Sequence, residues 1–135
     1  MKTHKISILF SLLALIVATL ACAGGELALS NFRVATDEKG DSPTSTYGTT
    51  DAFHAVADLS NAPIGTTASA KWYSINAEGF DPNAMINETS LTIDQDGVDY
   101  VTFQLTNQAP WGVGDYKVEF YLNGALVGTV NFNVQ

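Results

Sequence analysis

Asn123-Gly124 splits two runs of alternating residues, and no other feature of the chain restricts its fold as tightly. Before the pair, Tyr116, Val118, Phe120 and Leu122 alternate with Lys117, Glu119 and Tyr121. After it come Leu126, Gly128, Val130, Phe132 and Val134, again at every second position. A period of two sends successive side chains to opposite faces of a pleated strand. Asn-Gly between two such runs is the sequence of a two-residue type I′ turn, which needs positive φ at both central residues. Residues 110–135 are therefore predicted to form a β-hairpin. A lone hairpin is marginal in water, so the rest of the chain has to pack around it.

At 135 residues there is room for one domain of ordinary size once an N-terminal segment is set aside. Lys2, His4 and Lys5 precede a run from Ile6 to Ala21 that carries no charge. A basic start, an apolar centre and small residues at the end describe a signal peptide over residues 1–21. Its apolar run is shorter than the roughly 18–20 residues a spanning helix needs. Two endings fit. Ala21-Cys22-Ala23 offers an A-x-A site that cuts before Gly24, whereas Thr19-Leu20-Ala21-Cys22 resembles a bacterial lipobox, with Thr19 where leucine is usual. A lone cysteine at the boundary favours the second, in which Cys22 is lipidated and anchors the protein to a membrane; two acyl chains hold stably where one does not. Residues 22–26 are then a tether and residues 27–135 the folded domain.

Without residues 1–21 the chain keeps four Lys/Arg against fourteen Asp/Glu, a net charge of −10. Phosphate backbones demand a basic face, so nucleic acid is excluded as a partner. The same charge opposes docking on anionic headgroups. Cys22 is the only cysteine, so no intrachain disulfide forms and the core must supply the stability.

Leu27 and Leu29, then Phe32 and Val34, mark a first strand whose parity shifts midway, as at a bulge. Residues 36–50 hold Pro, Gly, Ser, Thr and charge, and are expected to form the longest and a flexible loop. Phe53, Ala55, Ala57 and Leu59 share one face of a second strand, opposite His54, Val56 and Asp58. After a turn at Asn61–Gly65, Ala68, Ala70 and Trp72 face inward from a third, opposite Lys71, Tyr73 and Ile75. Residues 77–88 read as irregular, Leu91 and Ile93 as a short strand, and Val101, Phe103 and Leu105 as the inward side of a longer one. With the hairpin this makes an all-β chain of about seven antiparallel strands and no amphipathic helix.

Gly114-Asp115-Tyr116-Lys117-Val118 has the Gly-x-Tyr-x-apolar form of a tyrosine corner, with valine where antibody domains carry cysteine. Joined to Asp58–Thr66, to Trp72, and to Trp111 before and Tyr121–Gly124 after the corner, this pattern resembles a group of small exported bacterial proteins. Those proteins are lipoproteins or extracellular modules built as an immunoglobulin-like sandwich. The resemblance covers roughly residues 27–135 and implies an immunoglobulin-like or fibronectin-like sandwich at the cell envelope. It implies no activity.

The sequence offers little for catalysis. His54 is the only histidine after export and Cys22 the only cysteine, so a thiol dyad and a histidine-rich zinc site are out of reach. No serine sits in an elbow motif, and His54 is expected to be an exposed strand residue. Asp94, Asp96 and Asp99 supply three carboxylates around Gly97, oxygen donors of the kind calcium takes. The EF-hand order is absent, however, and Asp96-Gly97 already serves as a turn. Pro110-Trp111 resembles one loop of the chagasin-type protease inhibitors, but the companion Asn-Pro-Thr-Thr-Gly loop is missing, so Trp111 is expected to plug the end of the sandwich. The expectation is a non-enzymatic module without cofactors. Its partner face, for another protein or a second copy, is the outside of the sheet carrying the last hairpin, where alternation puts Tyr73, Ile75, Tyr121 and Val127 in one apolar patch. The alternative is a carbohydrate-binding module using Tyr47, Phe80 or Tyr100.

Overall fold

The computed structural model describes residues 25–135. The signal peptide expected over 1–21 and the lipidation expected at Cys22 therefore fall outside the described residues. Eight strands follow: β1 (Ala28–Ala35), β2 (Thr46–Tyr47), β3 (Phe53–Ser60), β4 (Thr67–Ala77), β5 (Ala84–Thr92), β6 (Tyr100–Leu105), β7 (Gly114–Leu122) and β8 (Ala125–Val134). They form a three-stranded sheet, β1-β3-β6, and a five-stranded sheet, β2-β8-β7-β4-β5, whose apolar faces meet. The third, sixth and seventh expected strands (β4, β7 and β8) share a sheet, as the sandwich reading requires.

The central turn forms as its sequence predicts, with Asn123 at φ 48° and Gly124 at φ 84°. Asn123 also ties two hairpins together: its Oδ1 accepts from the Thr67 amide at 3.0 Å and its own amide donates to the Thr67 carbonyl at 2.8 Å.

Two segments depart from expectation. The loop over 36–50 contains β2, which runs parallel to β8 through Thr46↔Asn133 and Tyr47↔Val134, so the strands number eight and one pairing is parallel. The loop is also pinned. Arg33 donates to the carbonyls of Gly40 at 3.0 Å and Lys39 at 3.2 Å and pairs with Asp58 at 3.1 Å. Asp37 accepts from the amides of Ser42 and Asp41, which hold its carboxyl below the usual range. The segment over 77–88 is only partly irregular, because β5 begins at Ala84 and pairs with β4 as an edge strand. Met85 to Ser90 are exposed or half-buried, so no face of this strand is apolar enough to produce alternation.

The core is an aromatic cluster around Phe53, which is fully buried. Its ring stacks on Trp111 at 4.4 Å and meets Tyr47 at 4.8 Å, Phe132 at 4.9 Å, Tyr116 at 5.7 Å and Trp72 at 6.0 Å. Ala55, Ala57, Ala68 and Ala70 are buried beside it, and their small side chains leave room for the rings. The tyrosine corner is formed: Tyr116 donates from its hydroxyl to the Gly112 carbonyl at 2.6 Å. Trp111 closes one end of the sandwich, its Nε1 donating to the Asp51 carbonyl at 2.8 Å.

Tyr47 belongs to this core. It donates to the Ala35 carbonyl at 2.6 Å, and burial pushes its hydroxyl up to about 12. A tyrosine raised in the folded state stabilises fully below its unfolded pKa, and that contribution is lost as pH rises through the folded value. Stability is therefore expected to fall between pH 10 and about 12, by up to roughly 2–3 kcal/mol from this residue. Urea midpoints measured across that range should fall less steeply in Tyr47→Phe.

Candidate partner face

The outer surface of the five-stranded sheet is set by register. Cross-strand pairing aligns three rows over β5, β4, β7 and β8: Met85, Tyr73, Lys117 and Asn131; Glu88, Lys71, Glu119 and Thr129; Ser90, Ser69, Tyr121 and Leu126. Residues directly opposite on one face have Cβ atoms about 4.5–5.5 Å apart, so each row is in contact along its length.

Charge and aromatic rings interlock across the rows. The Lys71 Nζ lies 4.5 Å from the centre of the Tyr121 ring and the Lys117 Nζ 4.9 Å from that of Tyr73, both within cation–π range. Tyr121 donates to Glu119 Oε1 at 3.0 Å, and Lys117 reaches Glu119 Oε2 at 3.7 Å. Partial burial is the first cause that raises the Tyr121 hydroxyl to about 12, followed by its bond to Glu119; burial and the Glu119 charge raise Tyr73 as well.

Tyr73 and Tyr121 thus sit on the expected face, but the four residues do not make one apolar patch. A register shift between Phe120 and Tyr121 leaves Val127 in a bulge and brings Leu126, expected inside, opposite Tyr121. Another shift between Ser74 and Asn76 sets Ile75 apart, beside a hollow it lines with Ser45, Asp115, Asn131 and Asn133. Each bulge inserts one residue and reverses the parity beyond it. The row of Glu88, Lys71 and Glu119 runs between the two tyrosine rows, and the hydroxyls of Tyr73 and Tyr121 converge over Glu119. Alternation missed Met85 and Leu126, which are 54% and 53% exposed. Met85 lies in the strand that has no apolar face, and Leu126 changes sides only because of the bulge.

Other candidates are scattered. Tyr47 is buried, Phe80 packs half-buried against the core, and Tyr100 lies on the opposite sheet, so no carbohydrate platform is assembled from them. Asp94, Asp96 and Asp99 are exposed around their turn, and among the described residues no three carboxylate, histidine or cysteine side chains converge to hold a metal. His54 is half-buried rather than exposed, and its Nδ1 is buried with no hydrogen-bond partner. Trp111 is buried against Phe53, not offered to solvent as an inhibitor's wedge would be.

No protein-family model matches the chain, and no curated protein matches it. Among solved structures, an immunoglobulin-like protein from Pseudomonas aeruginosa superposes with a TM-score of 0.57 at 13% identity, over 84% of this chain and 99% of that one. An alkylpurine DNA glycosylase from Pseudomonas fluorescens matches with a TM-score of 0.50 at 13% identity, over 83% of this chain and 31% of its own. A β-glucosidase from Listeria innocua gives 0.49 at 15% identity, with 16% of its length covered by 81% of this chain. At such identities the likeness is one of architecture. This chain is an immunoglobulin-like β-sandwich.

Proposed function

We propose that the protein is an exported, non-enzymatic binding module, anchored to the bacterial cell envelope through lipid on Cys22, whose protein partner docks on the outer face of the five-stranded sheet. The observation that carries this reading is the interlocked pair of tyrosines and lysines, flanked by exposed Met85 and Leu126. Aromatic side chains and methionine are enriched at interfaces because they bring large contact area, and a tyrosine already held in place loses little entropy on docking.

The double variant Tyr73→Ser/Tyr121→Ser is expected to abolish pull-down or self-association and to leave the thermal midpoint nearly unchanged, since both residues lie outside the core. Unaltered association would remove this face from consideration. Anchoring is tested separately: metabolic labelling with a fatty-acid analogue should mark the protein, and Cys22→Ser should abolish both label and membrane retention. A mature, unlabelled protein that starts at Gly24 would overturn the lipid anchor and leave the docking face untouched.

A further inference from the structure

Four strand edges bound the two sheets: β1 and β6 in one, β2 and β5 in the other. An open edge presents unpaired main-chain N–H and C=O groups, and native sheets blunt it by shortness, bulges, charge or proline. Three of these edges are blunted. β1 has a register shift between Ser30 and Arg33, with Asn31 at φ 51° and a charged Arg33. β2 is two residues long. β5 is interrupted opposite Trp72 and Tyr73 and carries Glu88 near its middle. β6 has none of these devices. Its sequence, Tyr100-Val101-Thr102-Phe103-Gln104-Leu105, lacks charge, proline and glycine and pairs with β3 over six residues without a shift.

One hydrogen bond sets the phase of this edge. The Leu59 amide donates to the Asp99 carbonyl at 2.8 Å, so the alternate residues Val101, Phe103 and Leu105 continue the ladder to β3. The N–H and C=O groups of Tyr100, Thr102 and Gln104 then point to the open side, where among the described residues no strand pairs with them. Beside the start of this edge lies a cleft of about 430 Å³, between the end of β5 and β6, floored by Leu91, Ile93 and Val98. Its charged lining residues are Asp94 and Asp99, with no lysine or arginine.

We infer that β6 is a strand-addition site for an extended, basic segment of a partner protein. Main-chain groups of the added strand would bond to Tyr100, Thr102 and Gln104, a lysine or arginine would lie beside Asp94 and Asp99, and an apolar side chain would enter the cleft over Leu91 and Val98. Charge disfavours a second copy of this chain, since residues 25–135 of each hold four Lys/Arg against fourteen Asp/Glu. β6 itself carries no basic residue, the nearest being Arg33 and Lys39 in a hollow with Asp99 and Tyr100. The site lies on the sheet opposite the tyrosine face and is independent of it.

The test titrates the ¹⁵N-labelled chain with an eight-residue peptide of alternating valine and lysine. Binding should slow hydrogen exchange at the amides of Tyr100, Thr102 and Gln104, and Asp94→Asn/Asp99→Asn should weaken it at least five-fold with the spectrum otherwise kept. Thr102→Pro removes one outward N–H and spares the bonds to β3, and should abolish protection. Any of three results overturns the inference: equal binding of a valine–glutamate peptide, shifts confined to Tyr73 and Tyr121, or protection of these amides without peptide in a dimer.

Discussion

Phe53→Ala is expected to be the most damaging single truncation in the domain, costing about 3–5 kcal/mol in urea unfolding. Phe53 is fully buried at the start of β3 and touches five other aromatic rings drawn from β2, β4, β7, β8 and the segment before β7. Tyr116 also reaches both sheets and the Trp111 plug, but it meets four rings where Phe53 meets five. A cavity there cannot collapse easily, because each lining ring is already held by its own strand. Against a typical stability of about 5–15 kcal/mol this loss leaves little margin. A midpoint shift smaller than that of Leu126→Ala, an exposed residue, would contradict the placement of the core.

Gly112→Ala is expected to follow closely, with a loss of about 1–3 kcal/mol or more, as overpacking against rigid atoms produces. A Cβ at this position would run into the Glu78 carbonyl, which is main chain and cannot swing aside. Movement there also displaces the Gly112 carbonyl, which accepts the Tyr116 hydroxyl, and the neighbouring Trp111 ring over Phe53. The measurement is again a urea midpoint, together with Trp111 fluorescence. A fluorescence change with an unmoved midpoint would show that the plug can shift without cost to the fold.

What was legible in the sequence was local. The hairpin at Asn123-Gly124, the inward Trp72 and the tyrosine corner at Tyr116 depend on contacts within a few residues or on one apolar face, and all three appear where expected. β2 was not legible, because two residues carry no period and Tyr47 is placed by Ala35 and Phe132 from elsewhere in the chain. β5 was legible only at its end, where Leu91 marks part of a short strand: Ile86 and Leu91 pack half-buried against the core, but Asn87 to Ser90 between them are exposed and break the apolar period. The partner face was half legible. Tyr73 and Tyr121 follow from alternation, whereas Ile75, Leu126 and Val127 are set by bulges whose positions depend on the facing strand.

The parallel contact between β2 and β8 has a mechanical consequence. The chain enters beside Asn61, which donates to the Glu26 carbonyl, and leaves at Gln135, whose amide bonds to the Tyr47 carbonyl at the opposite pole. A pull between these points draws β1 along β3 in one direction and β8 along β2 and β7 in the other. Both terminal strands are loaded lengthwise, so their hydrogen bonds must fail together in shear and cannot be peeled one at a time. Along this axis, that arrangement resists extension better than the same number of bonds opened like a zip.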